Sequence, residues 1–263
     1  VEEITIRKDE LRCDLFRASG AGGQHVNKTE SGVRFTHLPT GIVAESTDSR
    51  SQHKNRDIAM TRLQIKIKEA QDAAVYKEQA DLRLRAQLIQ SGHLFDGYHA
   101  EMEALHLSNA HALEGIIDQI GYPTIALVGP EANDAAWLII QHSISRPDFM
   151  RKCQLMLQSA VAENQANHIH LAYLTDRIAV LSGEPQLYGT QYDWDINGEL
   201  NPQAYDHLPT VDLRRKDLGL NTVSEQTAIM RQRATNENES APADYHHRQA
   251  KMNKWRQSVG WIG

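Results

Sequence analysis

The chain has 263 residues, longer than most single cores, so two domains are expected. With 40% hydrophobic and 24% charged residues it reads as globular rather than disordered. No run approaches the roughly 20 apolar residues of a bilayer span, and no secretory start is present, so we expect a cytoplasmic protein without a membrane partner.

Residues 3–7 and 12–17 alternate apolar with polar side chains and read as strands. A glycine-rich loop follows at 19–23. Two short strands at 32–37 and 41–45 flank Leu38-Pro39-Thr40, a hairpin signal. From Asn55 the pattern turns helical and stays so to Gln90. Leu105, Leu113, Ile116, Ile117 and Ile120 mark a further helix stopped by Gly121 and Pro123. Helices are expected at 132–142 and 147–163, the second with Phe149, Cys153, Leu155, Met156 and Val161 as candidate core, and again at 171–182, closed by Gly183. Residues 186–209 are rich in Gly, Asn, Asp, Tyr and Pro and read as an ordered loop, followed by helix formers at 211–233.

The expected fold is α+β: a small mixed β-sheet domain with a helix and a Gly-Gly-Gln loop, then a mainly α-helical domain. The boundaries read as 1–68 for the first domain, 69–90 for a helical linker, 91–233 for the second domain and 234–263 for a polar tail. That tail is mildly basic through Arg248, Lys251, Lys254 and Arg256. Cys13 and Cys153 lack any paired spacing, which argues against a disulfide framework or a zinc ribbon.

The net charge of -6 hides a contrast. Residues 12–68 carry ten Lys or Arg against five Asp or Glu, whereas residues 69–263 carry 16 against 25. A basic module followed by an acidic one points to a polyanion, such as RNA, as a partner of the first alone.

The segment Arg17-Ala18-Ser19-Gly20-Ala21-Gly22-Gly23-Gln24-His25-Val26-Asn27-Lys28 combines a backbone free to adopt positive φ with a neutral donor and acceptor side chain at Gln24. It offers no good nucleophile. Arg17, Lys28 and Arg34 flank it, and Arg50, Gln52, His53 and Lys54 add cationic and hydrogen-bonding groups downstream, all candidate RNA contacts.

Three blocks, Arg17 to Lys28, Thr36-His37-Leu38-Pro39-Thr40-Gly41-Ile42-Val43 and Arg50-Ser51-Gln52-His53-Lys54-Asn55, resemble the catalytic domain of bacterial class I peptide chain release factors. The resemblance covers about residues 3–68. It implies a loop that enters the peptidyl-transferase centre of the large ribosomal subunit, where water attacks the ester of peptidyl-tRNA. Gly22, Gly23 and Gln24 would then be catalytic, the Gln24 amide N–H stabilising the transition state while its side chain shapes the space for water. The implied partners are the ribosome, peptidyl-tRNA and ribosomal RNA, and no cofactor is implied. The residues after Lys68 do not resemble the rest of that family, so codon-independent, rescue-type release is expected. A protein that only docks on ribosomal RNA while its helical domain carries the main role is the alternative, and a fusion of unrelated domains is a third reading.

The stretch 82–233 resembles an uncharacterised family, domain of unknown function 6624, through Gly121-Tyr122-Pro123, the run Ala135 to His142, Ala172-Tyr173-Leu174-Thr175-Asp176-Arg177 and Gln186-Leu187-Tyr188-Gly189-Thr190-Gln191. That resemblance implies no activity. Physically, Gln141, His142, Asp176, Arg177, Tyr188 and Gln191 are expected to form a small polar pocket, with His142 either a base held by Asp176 or a hydrogen-bonded core histidine. His168, His170, His93, His99, His106 and His111 lack the i, i+4 pairing of a helical metal site, so no metal is expected.

Overall fold

The computed structural model describes residues 6–17, 30–90 and 98–263. Strands β1 (Leu11–Phe16), β2 (Gly32–His37) and β3 (Val43–Ser46) form one sheet in the order β1-β2-β3, and both pairings are antiparallel. The expected first strand at 3–7 lies mostly outside the described residues, and among those described the sheet is antiparallel rather than mixed. The α+β class holds: sheet first, helices after.

The sheet's two faces follow from strict alternation. Val33, Phe35 and His37 of β2 point inward beside Ala44 and Ser46 of β3, all buried. Helix α1 (Gln52–Gln90) covers that face with Ala59, Leu63 and Ile67, a stripe at i, i+4, i+8. Burying Leu63 or Ile67 contributes about 1.5–3 kcal/mol each. On the outer face Arg34 and Glu45 stand directly opposite in the register and pair at 2.8 Å. Thr40 closes the hairpin by accepting from the Ile42 N–H at 3.1 Å and bonding His37 Nδ1 at 2.8 Å, while Gly41 turns the chain at φ 67°.

Eight further helices are described: α2 (Ala100–Ile120), α3 (Ile125–Val128), α4 (Pro130–His142), α5 (Pro147–Ala162), α6 (His168–Ser182), α7 (Leu208–Asp217), α8 (Val223–Asn236) and α9 (Tyr245–Val259). A two-stranded hairpin, β4 (Tyr192–Trp194) with β5 (Leu200–Pro202), interrupts the expected loop at 186–209. By compactness the chain forms two units. The first takes 1–76 with 113–136, and the second takes 77–112 with 137–263. The first unit thus gains a second apolar cluster, Ile120, Val128 and Ala132 against Ile42, Val75 and Ile116, from residues that sequence pattern assigns to the second domain.

In the second unit α5 buries Phe149, Met150, Cys153, Leu157 and Ala160, and α6 buries Ala172, Leu174, Ile178 and Leu181. Leu155, expected in the core, is 65% exposed, because the buried stripe runs through Phe149, Cys153 and Leu157 at a spacing of four, and a residue two positions from it faces the opposite side of the helix. The segment expected as a polar tail folds instead as α9. Asp244 caps it by accepting from the His247 N–H at 2.8 Å, and Trp261 beyond its end is buried, its indole N–H donating to the Ile144 carbonyl at 2.6 Å. Two of its basic residues are spent internally: Arg248 pairs with Asp193 at 2.6 Å and Arg256 donates to the Leu181 carbonyl at 2.7 Å.

Candidate functional site

In the first unit, Gly22, Gly23, Gln24 and Lys28 lie outside the described residues, but the base of the segment carrying them is described on both sides. The last pair of the β1–β2 ladder is Phe16 with Gly32. A Cβ at Gly32 would stand 2.8 Å from the Phe16 ring, so only glycine permits this approach. Arg34 lies over the same ring at 5.3 Å while held by Glu45.

The start of α1 fastens the other side. Gln52 Nε2 donates to the Glu30 carbonyl at 3.0 Å. Asn55, fully buried, donates from Nδ2 to the carbonyls of Ser31 and Ser49, both at 2.7 Å, and accepts at Oδ1 from the Ser49 N–H at 2.8 Å and the Ser46 hydroxyl at 3.1 Å. A primary amide is the one neutral side chain with two donors and two acceptor lone pairs at this reach, so all four bonds need Asn. Of the expected RNA contacts, Gln52 and Arg34 therefore serve the loop base, and His53 lies 3.4 Å from Asp57. Arg17, Arg50 and Lys54 are exposed.

In the second unit the expected pocket exists in part, with different partners. Asp81, in the last third of α1, is 3% exposed and receives an imidazole on each oxygen: His106 Nε2 to Oδ1 at 2.8 Å and His142 Nδ1 to Oδ2. Tyr98 Oη bonds His106 Nδ1 at 2.6 Å. These groups open onto a cavity of about 280 Å³ lined also by Arg85, Met102, Ile144 and Arg177. His142 is thus held by Asp81 and not by Asp176, a correction the sequence could not supply because Asp81 is 61 positions away on a helix of largely polar composition.

Asp176 has another task. Fully buried, it accepts from the N–H groups of Leu187, Tyr188 and Thr190 and from the Thr190 hydroxyl, at 2.8 to 3.0 Å. Thr190 Oγ1 in turn accepts from Gln191 Nε2 at 3.0 Å, and Gln191 Oε1 accepts from Arg177 Nε at 3.1 Å. Arg177 Nη1 donates to the Gln141 carbonyl at 2.9 Å. Asp176 and Gln191 therefore aim Arg177 at the cavity, and Gln141 contributes its backbone. Tyr188 enters through its main chain, donating to Asp176 while its carbonyl accepts from Arg215 Nη1 at 2.7 Å, and does not line the cavity.

The electrostatics of this site follow from burial. Burial alone would raise the Asp81 carboxyl, but hydrogen bonds from His106 and His142 hold it well below the usual carboxylate range. Burial lowers His142 below an ordinary imidazole, against the opposing pull of Asp81, so at neutral pH it carries no charge. Burial also pushes the Tyr98 phenol up and, with Arg85 nearby, lowers the Arg177 guanidinium to about 10, which leaves it charged. For Asp176 burial outweighs the four hydrogen bonds and raises the carboxyl.

Among the described residues Asp81, His106 and His142 also form a group able to hold a metal ion, with ligand atoms all within 4.8 Å of one another. Sequence spacing gave no sign of it, since His106 and His142 come from different helices. No helix among the described residues is long and apolar enough to cross a membrane.

Comparison with known proteins divides the chain in the same two directions. Residues 1–96 match the RF-1 domain, and residues 69–235 match a family of unknown function, DUF6624. Over 78 residues the chain is 64% identical to peptide chain release factor 1 of Mycoplasma capricolum subsp. capricolum, and equally to that of Mycoplasma mycoides subsp. mycoides SC. That match takes 30% of this chain and 21% of each relative, so the chain spans about a fifth of the length of these release factors. All eight residues lining the cavity fall within 69–235. The second match covers well over half of the chain, which, behind a release-factor-like N-terminal part, belongs to the family of unknown function DUF6624.

Proposed function

We propose that the N-terminal part catalyses ribosome-dependent hydrolysis of the peptidyl-tRNA ester through Gly22, Gly23 and Gln24. The observation that carries this reading is the intact Arg17 to Lys28 segment inside the RF-1 match at 1–96. In this reading water attacks the ester carbonyl carbon, the carbon–oxygen bond to the terminal ribose breaks, and the ribose oxygen leaves as a hydroxyl with a proton from that water. The Gln24 amide N–H stabilises the negative charge that develops on oxygen, a preorganised dipole rather than a covalent catalyst. Gly22 and Gly23 supply the backbone path. The clamp at the loop base supports the same reading: Gln52 and Asn55 fasten residues 30 and 31, so a loop that must reach a distant centre leaves a fixed stem.

The exposed Arg17, Arg50 and Lys54 suit contacts to phosphate that orient without reading sequence. Beyond the RF-1 match the chain continues into a different family, which favours release without a stop codon. The test is release of labelled peptide from purified ribosomes holding peptidyl-tRNA, with stop, sense and empty A-site codons. Release from empty sites, abolished in Gln24→Ala and Gly23→Ala, is expected. Ribosome binding without any release would leave a docking protein, and release confined to stop codons would refute the codon-independent part.

A further inference from the structure

The cavity of the second unit has a chemistry that release does not use. The chain of hydrogen bonds there is directional and nearly closed. Tyr98 Oη bonds His106 Nδ1, His106 Nε2 bonds Asp81 Oδ1, and Asp81 Oδ2 bonds His142 Nδ1. With Asp81 ionised it can only accept, so each imidazole presents an N–H to it. His106 then has both nitrogens engaged and Asp81 both oxygens. Among the described residues, the one ring nitrogen of this hydrogen-bond chain without a protein partner is Nε2 of His142, an acceptor on a residue that lines the cavity. An imidazole fixed in one tautomer by a buried carboxylate, with its other nitrogen open, is the arrangement of a general base.

The same cavity carries two guanidiniums. Arg177 has no carboxylate partner among the described residues: its Nε and Nη1 are spent on Gln191 and the Gln141 carbonyl, and Nη2 is left over. Arg85, exposed at the mouth, repels it, which lowers the Arg177 pKa further than burial alone. Two like charges directed at one space, with Asp81, the one carboxylate lining it among the described residues, already committed to two imidazoles, suit an anionic ligand. The planar forks of arginine suit phosphate oxygens. A divalent metal on Asp81, His106 and His142 would instead add positive charge beside these guanidiniums and displace a hydrogen-bond chain that is already satisfied.

We propose that this cavity is a hydrolytic site for a small phosphate ester, with Arg177 and Arg85 receiving the phosphoryl oxygens and Nε2 of His142 acting as general base. A water loses its proton to Nε2 as its oxygen bonds to phosphorus. The ester P–O bond breaks, and the leaving oxygen takes the proton back from the imidazolium, giving inorganic phosphate and an alcohol. Asp81 stabilises the transient imidazolium, and His106 and Tyr98 hold Asp81 in place as positioning residues.

The test uses the full chain with Gly23→Ala as background, which separates it from release on the ribosome. Inorganic phosphate binding is measured by calorimetry, and hydrolysis with p-nitrophenyl phosphate and its bis-ester, in chelator and with added zinc or manganese. Expected are phosphate binding weakened about tenfold in Arg177→Lys, and hydrolysis lost in His142→Gln with phosphate binding kept. Asp81→Asn should lower kcat with little change in KM and shift the pH profile, which a purely structural role would not do. Phosphate that fails to bind the folded chain, or binds Arg177→Lys equally well, overturns the anion site. Binding without hydrolysis of either ester overturns the catalytic assignment. Hydrolysis that requires added metal, with metal uptake lost in His106→Gln and His142→Gln, replaces the general base by a metal centre.

Discussion

Asn55→Ala tests the claim that the third release-type block fastens the base of the segment from Arg17 to Lys28. The wild-type amide makes four hydrogen bonds in a fully buried position. At a net worth of about 0.5–1 kcal/mol each, loss of the four bonds comes to about 3 kcal/mol. Local opening around residues 31–46 should then rise by about two orders of magnitude. Hydrogen exchange followed by mass spectrometry on the full chain reads this directly over β2 and β3. Gln52→Ala removes one exposed bond and should cost under about 1 kcal/mol. Asn55→Asp should be as damaging as alanine, because a carboxylate oxygen would face the carbonyls of Ser31 and Ser49. Exchange in Asn55→Ala no faster than in Gln52→Ala, or a tolerated aspartate, would refute the clamp.

Other perturbations separate the remaining parts. Trp261→Ala should cost about 3–5 kcal/mol, read by urea unfolding, since it removes a buried ring, its bond to the Ile144 carbonyl and the face that Arg151 covers at 4.9 Å; a change under about 1 kcal/mol would mean the C-terminal segment is not anchored there. Asp176→Asn sets an amide N–H₂ against donors of the 187–190 turn and should weaken phosphate binding through Arg177 although residue 176 does not line the cavity; unchanged affinity would break the proposed chain through Thr190 and Gln191. Acidification should destabilise the second unit. His142, facing Asp81, His106 and Arg177, has a folded pKa below its ordinary 6.5, so its contribution is complete above pH 6.5 and is lost as pH falls through the lower folded value. Asp81, also held low, loses its contribution only in stronger acid. Urea midpoints should therefore fall below pH 6.5 in the wild type and less steeply in His142→Gln, and a midpoint that rises on acidification would reverse the sign of this reasoning.

What the sequence made legible was governed by local periodicity. Val33, Phe35 and Ala44 declare the sheet's inner face by alternation, and Ala59, Leu63 and Ile67 declare the helix stripe by their spacing of four. Gly183 ends α6 in the left-handed conformation, as its position after Ser182 implied. Local pattern gave no account of Asp81. It is one carboxylate among many on a long polar helix, and its importance arises only when His106 and His142 from two other helices meet it. For the same reason, of the six residues expected in the second-unit pocket, His142 and Arg177 line the cavity, while Asp176, Gln191, Gln141 and Tyr188 act through neighbours.

Both units share a division that motif reading tends to blur. A short run of polar residues marks a functional place, but most of its members hold the backbone that presents the working group rather than touching a ligand. Gln52 and Asn55 do this for the loop base, and Asp176, Thr190 and Gln191 do it for Arg177. Buried amides and carboxylates are suited to the task because each can satisfy several main-chain groups at once, and the cost of leaving those groups unpaired makes the geometry hard to relax. The exposed side chains of Arg50 and Lys54 in the same block have no such internal duties among the described residues. Substitutions should sort accordingly: at the fasteners, losses of activity accompany faster local exchange, whereas at Arg50 and Lys54 affinity for ribosomes falls, more steeply at high salt, while exchange in β2 and β3 stays unchanged.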